Sequence, residues 1–351
     1  MKLRILIPFI ALLATAFSDG VFDLFKVPKG WPEPHYDFAD NPLTPQKIAL
    51  GRTLFYDPDL SADGSTSCAN CHSPYNAFAH SDHALSHGIN DRIGNRNAPA
   101  LMNLAWQDNF MWDGAIHHLD FQALAPLTHP NEMGNDFPEL VNRLNSSTFY
   151  KKKFAQAYGD SAVTGERTLK AISQFLLTLV SCQSKYDSVQ QNLAAFTLQE
   201  ANGLALFNRH CNSCHTAPLF TNNSYENNGL PPDSALNDHG RAAITNDMMD
   251  DFLFKVPTLR NIEYTSPYMH DGRFKRLYQV LNHYTSGINH SPTLAKQFEI
   301  PIQLSPDEKT DLIAFLLTLS DRQFLFNSNH SDPFYERLSD NHLYITRPEK
   351  N

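Results

Sequence analysis

The feature that most constrains this chain is a pentapeptide that occurs twice: residues 68–72 read CANCH and residues 211–215 read CNSCH. In each copy two thiols lie three positions apart, on one side of a helical turn, and a histidine follows the second thiol directly. Thiols at this spacing can add across the two vinyl groups of one porphyrin, and the imidazole that follows can bind its iron. The motif therefore predicts two covalently bound haem c groups.

The residues that this pattern assigns to haem attachment are Cys68, Cys71, Cys211 and Cys214, and those that it assigns to the iron are His72 and His215. A structural zinc site is one alternative, but the two pairs lie far apart and each carries its own histidine. A dithiol redox site would need one pair only. Disulfides within the pairs would explain neither histidine.

Residues 1–18 have the organisation of an export signal. Lys2 and Arg4 precede an apolar run at residues 5–17, and the small residues at 14–16 (ATA) suit cleavage. The run is too short for a transmembrane helix of about 20 residues. We therefore expect a signal peptide over 1–18, a periplasmic location and no stable membrane insertion after cleavage. An uncleaved anchor and a buried N-terminal segment are the alternatives.

The charge balance excludes one class of partner. The chain has 28 Lys+Arg against 37 Asp+Glu, a formal net charge of −9. Binding to nucleic-acid phosphates needs a positive surface, so we expect no nucleic-acid partner. Hydrophobic residues make up 42% of the chain and charged ones 19%, which excludes a disordered protein and is enough for a sizeable core.

The two halves of the chain also share other sequence blocks, and they share them in the same order. The matched pairs are GRTLF at 51–55 with GLALF at 203–207, PALMNL at 99–104 with PTLRNI at 257–262, and FLLTL at 175–179 with FLLTL at 315–319. A duplicated unit explains this order better than coincidence does.

The fold predicted from this repeat is mainly α, with two tandem cytochrome c-like domains that each hold one covalent haem. We assign residues 19–188 to the N-terminal domain and residues 189–351 to the C-terminal domain with its tail. Thr44-Pro45 and Ser305-Pro306 have the pattern of helix starts. The 22 prolines favour long ordered loops, and few short strands are expected.

These blocks resemble the bacterial dihaem cytochrome c peroxidase family, which includes the MauG-like enzymes. The stretches that carry the resemblance are LGRTLFYDPDLS at 50–61, RNAP at 96–99, WDG at 112–114, FKVPTLRN at 254–261 and PYMHDG at 267–272. The resemblance runs from about Leu43 to Leu319. It implies that hydrogen peroxide reacts at the N-terminal haem and that the C-terminal haem receives electrons.

For the first haem, the resemblance implies that Glu132 is the distal acid and Gln122 the distal glutamine. A carboxylate in an apolar pocket has a raised pKa and can carry a proton between peroxide oxygens. The alternative is that Glu132 is an exposed helix-cap acid.

Some members of the family have a displaceable histidine as the sixth ligand of this haem. The equivalent place falls near Ile89, which is not a histidine, although His80, His83 and His87 lie close by and could supply a shifted ligand. We predict a first haem that is open without prior reduction.

For the second haem, Tyr284 stands where the peroxidases have methionine and MauG-like proteins have tyrosine. A phenolate would stabilise ferric iron and lower the reduction potential relative to a thioether. Tyr284 could instead be ordinary packing, with His283 or Met269 as the ligand.

The resemblance also implies contacts between the haems. Trp112 matches an aromatic electron relay, or is a core tryptophan. Asn97, with the backbone carbonyls of Thr265 and Pro267, matches an inter-haem calcium site. Arg96 and Arg260 are the candidates for contacts with haem propionates.

Three functions are consistent with these residues. The first is a peroxidase that reduces hydrogen peroxide with electrons from a small donor protein, a cytochrome c or a copper protein. The second is MauG-like, peroxide-dependent oxidation of side chains in a protein substrate, which Tyr284 favours. The third is a non-catalytic electron carrier, which would have no use for Glu132 and Gln122.

Overall fold

The computed structural model describes residues 24–337 and 343–345, so the predicted signal peptide at 1–18 lies outside the described residues. The α-helices are α1 (Pro45–Tyr56), α2 (Cys68–Cys71), α3 (Leu119–Gln122), α4 (Leu124–Thr128), α5 (Phe137–Ser146), α6 (Thr148–Tyr158), α7 (Gly165–Leu177), α8 (Lys185–Gln190), α9 (Leu198–His210), α10 (Ala242–Thr245), α11 (Leu277–Ser286), α12 (Pro306–Leu317) and α13 (Arg322–Leu325). The strands are β1 (Tyr225–Glu226), β2 (Phe254–Lys255), β3 (Tyr335–Arg337) and β4 (Leu343–Ile345). Within the described ranges, no helix is long and apolar enough to cross a membrane.

In the N-terminal domain, α1 begins where its sequence predicts. The Thr44 side chain accepts a hydrogen bond from the Lys47 amide at 3.2 Å, and Pro45 takes the first helical position. Helix α1 packs on α7 so closely that a Cβ on Gly51 would lie 1.8 Å from the backbone oxygen of Ala171. Only glycine permits this contact between the two helices.

The C-terminal domain repeats the same arrangement with α9 and α12. Ser305 caps α12 in a capping box with Glu308. A Cβ on Gly203 would lie 2.0 Å from the backbone oxygen of Asp311. The duplicated glycines therefore mark equivalent helix crossings, and the duplicated blocks occupy equivalent places.

Each domain has its own aromatic core beside its helix pair. In the first domain the ring of Phe55 lies 5.2 Å from Phe175 and 5.8 Å from Phe78. In the second the ring of Phe207 lies 5.0 Å from Phe315 and 5.7 Å from Phe220. Edge-on and tilted contacts at these distances are favourable for aromatic rings.

Strand β1 pairs antiparallel with β2, with Tyr225 opposite Lys255, and β3 pairs antiparallel with β4. Both sheets have two strands. The prediction of a mainly α fold with two tandem domains and few short strands is confirmed.

Polar contacts hold the domains together. Asn103 and Asn261, equivalent residues of the two halves, both have a φ of 57°. The Asn261 side chain donates to the Ser181 hydroxyl at 2.9 Å and accepts from the Asp321 amide at 2.7 Å. The connecting helix α8 packs on the second domain, since the Tyr186 amide donates to the Thr318 carbonyl at 3.0 Å. The boundary at residue 188 stays a prediction.

Candidate functional site

One cavity of about 590 Å³ lies between the two domains, and residues of both line it. The predicted residues in its wall are Cys68, Cys71, His72, Arg96, Asn97, Trp112, Gln122, Glu132, Cys211, Cys214, His215, Thr265, Pro267 and Tyr284. The fold therefore collects, around one space, residues that are spread over most of the chain.

None of the four motif cysteines forms a disulfide, so the alternative of disulfides within the pairs is wrong. Burial raises the pKa of Cys68 and of Cys211 to about 12. A dithiol redox site or a zinc site would need lowered thiol pKa values. The described residues also contain no cluster of three or more His, Cys, Asp or Glu that could hold a metal ion. Thiols beside a large apolar cavity fit attachment of a porphyrin.

The two motif histidines are oriented for iron binding. The His72 Nδ1 lies 2.7 Å from the Phe78 carbonyl oxygen. The His215 Nδ1 lies 3.2 Å from the carbonyl of Phe220 and 3.1 Å from that of Pro257. Since a carbonyl only accepts, Nδ1 carries the hydrogen in both rings and Nε2 keeps its lone pair for a metal. Burial lowers the pKa of each histidine to about 4, which also favours the neutral ligand form.

Glu132 and Gln122 line the same cavity as His72. Glu132 lies in the turn between α4 and α5, with 37% of its side chain exposed, and burial raises its pKa. His129 opposes that shift, with its Nδ1 3.7 Å from the Glu132 carboxylate. Gln122 ends α3, and its Nε2 lies 3.8 Å from the Met111 sulfur. A carboxyl group with a raised pKa at a cavity wall can exchange a proton there.

His80, His83 and His87 form a column of imidazole rings, with centroids 5.6 Å and then 4.6 Å apart. The described cavity wall contains none of the three rings. His87 instead pairs with Asp91 at 2.6 Å. This placement does not support a shifted sixth ligand from the column, and the open first haem stays a prediction.

Tyr284, from α11, lines the second half of the cavity, and burial raises its pKa to about 12. The Asn228 side-chain amide lies 3.5 Å from the Tyr284 hydroxyl and 3.4 Å from the Met269 sulfur. Met269 also lines the cavity. His283 does not: it is buried, and its Nε2 is held 3.0 Å from the Asn228 carbonyl. Of the two alternatives to Tyr284, Met269 therefore remains a candidate ligand because it lines the cavity, whereas His283 does not.

Trp112 is part of the cavity wall and belongs to neither hydrophobic core. Its indole Nε1 donates to the Asn97 carbonyl at 2.8 Å. Asn97 is buried, and its side-chain amide nitrogen donates to the Ala84 carbonyl at 2.9 Å. Among the described residues, nothing donates a hydrogen bond to the Asn97 side-chain oxygen or to the carbonyls of Thr265 and Pro267. These three oxygens fit the neutral donor set that calcium accepts.

The two arginines predicted to bind propionates have protein partners instead. Arg260 does not line the cavity: its fully buried guanidinium pairs in bidentate fashion with Asp187, at 2.7 and 2.9 Å. That geometry does not support a propionate contact for Arg260. Arg96 does line the cavity, but Asp238 and Asp113 already bind it, at 2.6 and 2.5 Å.

Lys255 is a cavity residue that the sequence analysis missed. It lies inside FKVPTLRN, is 8% exposed, and donates from Nζ to the Gln107 side-chain oxygen and the Asn109 carbonyl. Burial lowers the pKa of Lys255 to about 7. The signal that could have found it is the repeat, which aligns Lys255 with Asn97 of the first half.

Comparison with known proteins matches both halves to families. Residues 45–195 match the family model described as di-haem cytochrome c peroxidase, and residues 200–320 match the cytochrome c model. Two attachment motifs in these two domains carry two covalently bound haems. MauG, the methylamine utilization protein of Methylorubrum extorquens, is 36% identical over 307 residues, which is 84% of this chain and 83% of that protein. Cytochrome c551 peroxidase of Nitrosomonas europaea is 32% identical over 81% of this chain and 86% of that protein.

Solved structures agree with this assignment. A MauG-like protein associated with microbial copper homeostasis has a TM-score of 0.79 at 32% identity, covering 88% of this chain and 98% of that one. The diheme peroxidase BthA from Burkholderia thailandensis has a TM-score of 0.70 at 23% identity, over 83% of this chain and 91% of that one, and shares the fold. By its motifs, its cavity and these relatives, the chain belongs to the di-haem cytochrome c peroxidase family that includes MauG.

Proposed function

We propose that this chain is an exported, periplasmic peroxidase-type oxidoreductase that reduces hydrogen peroxide at the N-terminal haem with electrons passed through the C-terminal haem. One observation carries the proposal: Glu132 and Gln122 share a cavity wall with His72 and with the second attachment motif. A carrier that only passes electrons has no use for a carboxyl group with a raised pKa in the wall of its haem cavity. Relatives named cytochrome c peroxidases add support.

The haem held by His72 supplies an iron at which peroxide can bind and be reduced. Glu132 acts on the protons: its carboxylate accepts the proton of one peroxide oxygen and delivers it to the other, which leaves as water. Gln122 orients the peroxide by donating from its amide. Two electrons and two further protons complete the conversion of one hydrogen peroxide to two waters.

Trp112 has a fixed orientation between the two halves, since its indole donates to Asn97 and its carbonyl accepts from the Lys255 amide at 2.7 Å. We assign to it the relay of electrons across the boundary. His215 and Tyr284 are the ligands that we assign to the second iron. A small cytochrome c or copper protein is the donor that this arrangement would accept.

The same boundary is the place for a calcium ion. The Asn97 side-chain oxygen and the carbonyls of Thr265 and Pro267 are the ligands that we assign to it, with water completing the shell. Asn97 also accepts the indole hydrogen of Trp112 on its backbone oxygen, at 2.8 Å. The ion would therefore stabilise the segment that positions the relay.

A second function, MauG-like oxidation of side chains in a partner protein, is favoured by Tyr284. An anionic oxygen ligand would stabilise the higher oxidation states of the second iron more than a thioether does, so that oxidising equivalents taken from peroxide could be held there until a protein substrate supplies electrons. Two relatives named MauG are 36% identical to this chain.

Spectra of the resting ferric protein test the enzyme proposals together. We expect one high-spin haem and one low-spin haem, with the high-spin signal altered and the low-spin signal kept on replacement of His72. Two low-spin haems that do not react with peroxide, even after partial reduction, would instead identify a carrier. Peroxide added with a reduced small cytochrome, or with a periplasmic extract, then separates the two enzymes. Steady oxidation of the cytochrome supports the peroxidase, and oxidised side chains in a partner support the MauG-like function.

A further inference from the structure

The duplicated halves can be compared residue by residue around the domain boundary. Pro99 and Pro257, which begin the matched blocks PALMNL and PTLRNI, are each followed at the same spacing by an Asp-Gly pair, at 113–114 and 271–272. The equivalent pairs in this region are Asn97 with Lys255, Gln107 with Thr265, Asn109 with Pro267, and Trp112 with His270. The three residues assigned to calcium therefore have three counterparts on the opposite side of the boundary.

The backbone confirms that these places are equivalent. The Asn97 amide donates to the His270 carbonyl at 2.7 Å, and the Lys255 amide donates to the Trp112 carbonyl at 2.7 Å. The two hydrogen bonds are therefore equivalent: in each, the amide of one half donates to the carbonyl of the matching position in the other half. The two sites are related by an approximate two-fold axis at the boundary.

The Lys255 side chain donates hydrogen bonds to two residues that are the counterparts of the proposed calcium ligands. Its Nζ donates to the Gln107 side-chain oxygen and, at 2.5 Å, to the Asn109 carbonyl, the counterpart of the Pro267 carbonyl. Within the described part of the chain, no carboxylate forms a salt bridge with this ammonium. Its direct partners are neutral oxygens and the Phe110 ring, whose centroid is 5.8 Å away, and the Asp108 carboxylate acts on it only through longer-range attraction. These are the groups that a bound cation would have.

We propose that Lys255 is a tethered cation: its ammonium group fills the counterpart of the calcium site, so that this family fold carries one exchangeable cation and one covalently held cation at the domain boundary. A buried charge needs polar partners, and carbonyl and amide oxygens supply them to an ammonium as they do to calcium. The Lys255 amino group also excludes a second metal ion through its volume, and when it is protonated through its like charge. This inference rests on the calcium site proposed above.

Replacing Lys255 by Asn tests the inference, because it recreates the residue found at Asn97. The expected result is one more calcium ion per chain than in the parent, measured by elemental analysis of the dihaem protein after dialysis and by calorimetric titration. Lys29→Asn, at an exposed loop position, should bind the same number of ions as the parent. Equal counts for Lys255→Asn and the parent would overturn the tethered cation.

The parent's own count separates the two proposals. A parent without calcium would remove the Asn97 site, while a gain of one ion in Lys255→Asn would still support the role of Lys255. If Lys255→Asn does not accumulate with both haems, Lys255→Gln carries the same amide oxygen one bond farther and the same difference decides. If neither variant accumulates, a second ion bound at Asn109 in the parent overturns the inference, and its absence from a calcium-soaked crystal supports it.

Discussion

Replacing Gly51 by Ala tests whether the first domain depends on the close approach of α1 to α7. The new Cβ would lie 1.8 Å from the Ala171 backbone oxygen, whereas ordinary contact begins at 3.4 Å. Because the obstacle is backbone, the helices would have to separate by roughly 1.6 Å. Overpacking of this kind costs about 1–3 kcal/mol. Phe55 and Leu176, which flank the crossing, line the haem cavity, so the perturbation should also reach the first haem.

Thermal unfolding followed by circular dichroism measures this cost. At about 2–4 °C for each kcal/mol, a loss near 2 kcal/mol lowers the melting temperature by roughly 4–8 °C. Gly203→Ala, whose Cβ would lie 2.0 Å from the Asp311 backbone oxygen, is the matched variant. It should produce a similar loss while perturbing the absorbance of the second haem. A Gly51→Ala protein that melts within about 1 °C of the parent would refute the argument from close packing.

Four further variants address the site. Replacing both Cys68 and Cys71 by Ala should leave one covalent haem, and an intact mass that still contains two would contradict the attachment motif. Glu132→Gln should slow the reaction with peroxide by about 10²–10⁴. In the parent, the raised Glu132 pKa keeps the carboxyl group protonated to a higher pH, so the rate should rise as the pH passes through that pKa, a dependence that the variant should lack. Tyr284→Met should raise the potential of the second haem in a redox titration, and an unchanged potential would exclude Tyr284 as a ligand. Asp187→Asn should destabilise the second domain by about 3–5 kcal/mol in denaturant unfolding, because a fully buried guanidinium loses its charge partner; a cost below about 1 kcal/mol would show that the pair is not needed.

The sequence predicted the parts of this protein that depend on short-range chemistry. The attachment motifs predict covalent haem directly, since the spacing of two thiols and a histidine is what one porphyrin requires. Thr44 and Ser305 cap helices through contacts within one turn, and those helices begin as expected. The duplicated glycines indicated a repeat, although not the helix crossing that makes glycine necessary, because that distance depends on how two separate helices pack.

The parts that the sequence could not place depend on contacts between distant segments. Whether His80, His83 and His87 face the iron or one another depends on the path of a loop that has no periodicity. His283 and Tyr284 are adjacent in sequence, yet α11 directs only Tyr284 to the cavity wall. Neighbouring residues of a helix point in different directions, so the sequence alone does not show which of the two side chains reaches the cavity; that depends on how the helix packs.

For Arg260, the equivalence between the two halves of the chain predicts a core position, which the resemblance to the family did not indicate. Its counterpart in the first half is Met102, and both side chains are fully buried. A position that holds a core methionine in one domain is a core position in the other, so an arginine there requires a buried carboxylate rather than a cofactor at a cavity wall. Asp187, at the start of α8, is that carboxylate, and no local pattern links it to residue 260. Comparing equivalent positions therefore distinguishes the two cationic residues of the FKVPTLRN block. Arg260 is equivalent to the core residue Met102, whereas Lys255 is equivalent to Asn97 and lies at the domain boundary.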